Sequence, residues 1–323
     1  MVSPPAAEKG LADVVAILEL AVLAYLTIEL GSQPTAYRLI VRVVTTTSLV
    51  AAGAALAGVA LFYLGVGTDL VGGYGALVPS SDYARAQGPL QHPAELGSYC
   101  IFASAVVAQG GDAISDRLRR MTQAVLALTV VLTFSRAVLG FALAAIIRSP
   151  RVPRLRAAAA AAAVLAVALM ATLTVFKVSL DPSRPFDAKL QTDVESVRSQ
   201  ELRASVETFA EHPLFGTGPR TLPGEAAGYG PRQAHNTPVG VAATLGVPAL
   251  VALIVLLVAL WRGRERPTNM ASWGGLAGLG VDGLGQDIEN FRHVWVMIGL
   301  AGASPGREAE VRPAADAERR AAC

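Results

Sequence analysis

Charge is scarce in this sequence. Asp, Glu, Lys and Arg make up 16% of its 323 residues, where a soluble domain carries about 25%. The deficit runs the whole length, which excludes a soluble domain on a single anchor and points to a chain that crosses a bilayer repeatedly. Cysteine is almost missing: Cys100 falls in an apolar stretch and Cys323 is the last residue, so neither a disulfide framework nor a thiolate metal site is expected. No Walker loop, Rossmann fingerprint or Asp-x-Asp pair occurs, which disfavours chemistry driven by ATP or by a metal-bound nucleotide sugar. The net charge of +2 gives no case for a nucleic-acid partner. The opening MVSPPAAEKG lacks the basic start and cleavage site of a signal peptide.

Apolar runs are abundant instead. They lie at 11–31, 43–66, 94–110, 121–134, 137–147, 157–178 and 236–261, with shorter ones at 271–284 and 292–303. The fold class expected is all-α, a polytopic transmembrane helix bundle of about nine spans. The runs on either side of Ser135–Arg136 read as two helices meeting at a tight turn. One helix through both would hold Arg136 near mid-bilayer at a cost of about 2.5–3.5 kcal/mol or more. Arginines mark alternate loops: Arg38 and Arg42; Arg117, Arg119 and Arg120; Arg148, Arg151, Arg154 and Arg156; Arg262, Arg264 and Arg266. The positive-inside rule makes these loops cytoplasmic. It makes 67–93, 135–136, 179–235 and 282–292 external, with the N-terminus external as well. Residues 1–303 then form one integral membrane domain, and 304–323 a disordered cytoplasmic tail. In the long external loop 179–235, RSQELRASVETFAEHP puts Leu202, Val206 and Phe209 on one face of a short amphipathic helix. The segment VDGLGQDIENFR between the last two runs reads as partly re-entrant.

Five polar features fall on the external side: Arg85 and Gly88 in YARAQGPLQHP, Arg136 in LTFSRAVLGF, Arg198 before the amphipathic helix, the glycine-rich HPLFGTGP with Gly216 and Gly218, and His235–Asn236 opening the seventh span. Arginines at the outer ends of spans run against the positive-inside bias and suit an anionic ligand. The planar guanidinium makes two parallel charge-assisted bonds and keeps its proton. Each feature also has an ordinary reading: a solvated loop arginine, a snorkelling side chain, a surface helix residue, a plain turn, a helix-end histidine. Glu19, Glu29, Asp282, Asp287 and Glu289 are acids within or beside the apolar runs. Glu29 and the late acids are close to run ends, where the cost is small.

In this order, RAQGPLQHP, TFSR, HPLFGTGP and AHN resemble the O-antigen ligase and O-antigen polymerase superfamily. The ligase pattern of His, Asn, nine residues and Gly is met by His235, Asn236 and Gly246, and FRHVWVMIGLAGA is similar to the family's last span. Two positions depart from the pattern: Ala249, where Gly, Thr or Tyr is common, and Leu202, where Trp is. The resemblance covers roughly 40–303. It implies about a dozen helices with both ends cytoplasmic, so the nine runs correspond to the last nine and three leading helices are expected to be missing.

It also implies the chemistry. The donor is a glycan on undecaprenyl diphosphate, the acceptor a hydroxyl on a lipid or cell-envelope polymer, and the reaction a metal-independent, cofactor-free transfer with inversion. It takes place at the external face of the inner (cytoplasmic) membrane. His235 is the expected base. Arg136 and Arg198, with Arg85 in support, hold the leaving diphosphate, and Asn236, Gly216, Gly218 and Gly246 support the site. Two readings stand beside this one: a repeat-unit polymerase of the same fold, and a non-enzymatic polysaccharide transporter or an inactive truncated fragment.

Overall fold

The computed structural model describes residues 4–66, 84–90, 92–148, 200–218, 234–262 and 270–303. All regular structure among them is helical, and eight of the nine apolar runs are helices. The helices are α1 (Pro4–Ser32), α2 (Pro34–Tyr63), α3 (Pro93–Ala108), α4 (Asp116–Leu132), α5 (Ala137–Arg148), α6 (200–211), α7 (Thr237–Arg262), α8 (Met270–Gly283) and α9 (Arg292–Gly302). Among the described residues, three stretches are long and apolar enough to cross a membrane: Val14–Ser32, Pro34–Tyr63 and Thr237–Ala259. Pro93–Ala108 and Ala137–Arg148 are apolar but shorter. The ninth run at 157–178, most of the loop 179–235, Arg198 and the tail 304–323 lie outside the described residues.

Proline sets the element boundaries. Gln33 is the only residue between α1 and α2, with φ −89° and ψ 121°. The ring of Pro34 crowds the preceding residue out of helical space and fixes this extended break. Arg38 and Arg42, expected around a loop, therefore sit in the first turns of α2. Pro93 holds His92 extended in the same way, and the His92 ring accepts a bond from the amide of Ala94, capping α3. Ser115 caps α4 through the amide of Leu118.

Small residues let the helices touch backbone to backbone. At the α5–α8 crossing a Cβ on Gly140 would fall 2.3 Å from the Gly278 carbonyl oxygen, and one on Gly278 2.4 Å from that of Gly140. Where α1 meets α9, a Cβ on Gly299 would fall 2.5 Å from that of Thr27. The core gathers Leu96, Ile101, Leu126, Leu279 and Met297, all fully buried.

Side-chain bonds sort the connections into two ends. At one end Arg42 Nε donates to Ala113 O (3.1 Å), Tyr37 bonds Gln109, and Gln109 bonds Ser272. Arg38, Arg42, Arg117, Arg119 and Arg120 belong to this end. At the other end the loop 84–90, the turn 133–136, the start of α7 and the loop 284–291 come together.

Candidate functional site

The turn between α4 and α5 is built residue by residue. Thr133 Oγ1 donates to Val130 O and pairs with Ser135 Oγ, both at 2.7 Å. Arg85 clamps the same turn, its Nε on Thr133 O (2.9 Å) and its Nη2 on Phe134 O (3.2 Å). Gly88 holds the loop of Arg85 close to α2: its φ is +61°, and a Cβ would come 2.9 Å from Ala51 O. The turn presents Arg136 to solvent. Its side chain crosses Gly285 of the loop between α8 and α9, where a Cβ would sit 2.9 Å from Arg136 Cδ.

The start of α7 is held by that same loop. Asn236 is its cap: Oδ1 accepts from Val239 N (3.1 Å) and Nδ2 donates to Leu284 O (3.2 Å). The Asp287 carboxylate accepts the amides of His235 (3.0 Å) and Asn236 (3.1 Å), one on each oxygen. Burial pushes the Asp287 carboxyl above the usual carboxylate range, and the two amide donors pull it back. Thr237 Oγ1 accepts from Ile288 N (2.9 Å) and lies within bonding distance of Gln286 O (3.0 Å) and Glu289 Oε2 (3.1 Å). Trp295 Nε1 ties Glu289 O to α9 at 2.7 Å.

His235 is half-buried, and its Nε2 lies 3.2 Å from Oε2 of Glu201 on α6. The contact is one of charge rather than of an aligned hydrogen bond. The backbone of His235 is left-handed, with φ 48°. Phe134, two residues before Arg136, has φ 47°, and these are the two non-glycine residues with positive φ among the described residues. Such strain costs about 1–3 kcal/mol and gathers where side chains must be aimed for function.

HPLFGTGP packs against the middle of α7. Helix α7 breaks at Gly246 (φ 76°, ψ −172°), two residues before Pro248. Pro248 has no amide to give Thr244 O, and Gly218 N bonds that oxygen at 2.9 Å. Val247 N turns to Pro213 O (2.8 Å), and Thr217 N takes Ala243 O (3.2 Å). Gly216 N bonds His212 O. The amides at 216, 217 and 218 are therefore engaged within the protein rather than arranged as a phosphate cradle. Gly216 and Gly246 mark the points of closest approach. A Cβ on the first would lie 2.4 Å from Thr244 O, and one on the second 2.3 Å from Leu214 O.

Of the residues singled out in the sequence, Arg85, Arg136, His235 and Asn236 thus meet around one end of the bundle, and Gly216, Gly218 and Gly246 form the interlock beside it. Glu201 has no motif to mark it in the sequence, and Asp287 and Glu289 stand there only as acids near run ends. The signal for Asp287 was an acid in a polar loop between two short apolar runs. Glu201 carried none beyond its place three residues after Arg198. In α6, Val206 is exposed, and Ser205 and Thr208 are buried. Their hydroxyls bond Glu201 O and Ala204 O within the helix (2.8 and 2.7 Å), so they need no outside partner. No His, Cys, Asp or Glu grouping able to hold a metal occurs among the described residues.

No curated protein matches the chain with significance. A family model described as O-antigen ligase matches residues 121–254. That stretch runs from α4 through the Arg136 turn and His235 to the far side of the α7 break.

Proposed function

We propose that this chain, which a family model described as O-antigen ligase matches over residues 121–254, is a membrane enzyme of the glycan-transfer type that moves a glycan from undecaprenyl diphosphate to an acceptor hydroxyl at the His235 end of the bundle. Arg38, Arg42, Arg117, Arg119 and Arg120 lie at the opposite end, which by the positive-inside rule supports an external setting for the His235 end. The acceptor is a lipid or cell-envelope polymer. The observation that carries the reading is that one loop, 284–291, holds both halves of the required chemistry: Asp287 fixes the backbone of His235, and Gly285 lies under Arg136.

The transfer forms a bond from the acceptor oxygen to the anomeric carbon. It breaks the bond from that carbon to the diphosphate, which keeps the electron pair. The acceptor proton goes to the His235 imidazole, the only ordinary side chain whose unperturbed pKa, near ~6.5, lies beside neutral pH. Negative charge grows on the departing diphosphate. Arg136 and, by its place in the sequence, Arg198 meet it with paired donors. Arg85 acts on the same charge from behind, by holding the turn that aims Arg136. No metal enters this scheme.

The test uses the full chain in nanodiscs, lipid-linked glycan extracted from a strain lacking the gene as donor, and that strain's envelope fraction as acceptor. His235→Ala should leave only a small residual rate while the protein still inserts and melts normally; full transfer by this variant ends the base assignment. Arg136→Lys should lose most of the rate, because a point charge does not replace the fork. The length of the product chain separates single transfer from polymerisation.

A further inference from the structure

We propose that Glu201 is the positioning residue of His235: its carboxylate holds the imidazole in one tautomer and balances the imidazolium formed when the acceptor gives up its proton. This rests on the reading of His235 as the base. The motif residues around His235 account for its backbone. Asp287 accepts its amide, Asn236 caps the helix behind it, and φ is set at 48°. None of these contacts settles which ring nitrogen carries hydrogen. Glu201 does, because its Oε2 stands 3.2 Å from Nε2. The two groups are not aligned as a hydrogen bond, but the carboxylate charge beside Nε2 favours the neutral tautomer with its hydrogen there, and Nδ1 is then the nitrogen that takes a proton.

The burial of the pair makes the contact consequential. The Glu201 side chain is 17% exposed and that of His235 31%, so water screens the pair less than it would a surface bridge. Among the described residues, the charged groups near the imidazole include Glu201 from α6, Asp287 and Glu289 from the loop 284–291, and Arg136 from the turn before α5. Asp287 is turned to main-chain amides and Glu289 to Thr237 and Asn290. Glu201 is the acid facing the ring. It comes from a different element than the rest of the site, so α6 has a part in catalysis that its sequence does not announce. The proton balance is simple. The acceptor O–H bond breaks, Nδ1–H forms, the ring becomes cationic, and the Glu201 charge offsets it until the proton leaves to solvent or to the diphosphate released.

The experiment compares Glu201→Gln, Glu201→Asp, His235→Ala and the Glu201→Gln/His235→Ala double variant in the nanodisc assay, with binding of undecaprenyl diphosphate measured separately. Glu201→Gln should cut the maximal rate by about tenfold or more, since a misplaced imidazole hydrogen is costly. Its half-saturating donor concentration and its undecaprenyl diphosphate affinity should stay within about twofold. Glu201→Asp should recover part of the rate. The double variant should be no slower than His235→Ala alone, because two parts of one device fail together. Wild-type turnover in Glu201→Gln, a change in half-saturation with no change in maximal rate, or a further loss in the double variant each overturns the proposal. Should the Gln variant fail to fold, the Asp variant decides: a folded Glu201→Asp no faster than His235→Ala contradicts it. Full activity in His235→Ala counts against the base itself, a result distinct from these.

Discussion

At the scale of single residues, the site depends on acids that face inward. Asp287 needs both oxygens as acceptors for the amides of His235 and Asn236. An asparagine in its place would turn an NH2 group towards one of those amides and lose the bond. Burial raises its carboxyl above the ordinary value, so the native state binds this proton more tightly than the unfolded chain, whose value is about 3.9. A raised carboxyl contributes stability that is fully present below the unfolded value and is lost as pH rises through the native one. The melting-temperature advantage of the wild type over Asp287→Asn, measured in detergent from pH 4 upward, should therefore shrink as pH increases. An advantage that grows over that interval would mean that the two amide bonds outweigh burial.

At the scale of elements, the interlock between 212–218 and α7 explains why glycine stands at 216 and 246. Gly246 combines a conformation open essentially to glycine alone with a carbonyl 2.3 Å from where a Cβ would be. Gly65 has a nearly identical φ of 74° and nothing within 4 Å. The two share a positive φ, and only Gly246 is crowded by backbone. Gly65→Ala should cost about 1–2 kcal/mol, while Gly246→Ala should cost several times that or prevent folding, because backbone on both sides has to move. Equal drops in melting temperature would show that the interlock adds little. Much of this level was legible in the sequence. The helical runs, the turn before Arg136 and the helix opening at His235 all follow from apolar period and proline or glycine placement. The roles of the glycines in HPLFGTGP were not, because a glycine needed for close approach and one needed to bare an amide to phosphate read alike. Nor was the inner face of α6, since buried hydroxyls that bond their own helix look polar in a sequence and behave as neutral packing.

At the scale of the whole molecule, arginine counts in loops put Arg85, Arg136, Arg198, His235 and Asn236 on one side of the membrane; the structure brings Arg85, Arg136, His235 and Asn236 to one end of the bundle, and Arg198 lies outside the described residues. The partners that complete the site, Glu201 and Asp287, come from 34 residues before and 52 residues after His235. No local pattern links such distant positions in one sequence. Sidedness is directly testable, because Cys100 is fully buried and Cys323 can be replaced by serine. In that background an Asn290→Cys chain should react with an impermeant maleimide on intact cells, and an Arg117→Cys chain only after permeabilisation. The reverse pattern would put the His235 end in the cytoplasm.

The break in α7 also bears on how the protein is made. The carbonyls of Ala243 and Thr244 take their hydrogen bonds from Thr217 and Gly218 rather than from their own helix. In hydrocarbon, an unmet carbonyl costs several kcal/mol. On the ribosome the donors emerge before the acceptors, so the loop is already waiting when α7 is delivered to the membrane. A chain rearranged to present α7 first would have to insert it with two open carbonyls. The order of segments is thus a condition for biogenesis, separate from any part they play in turnover.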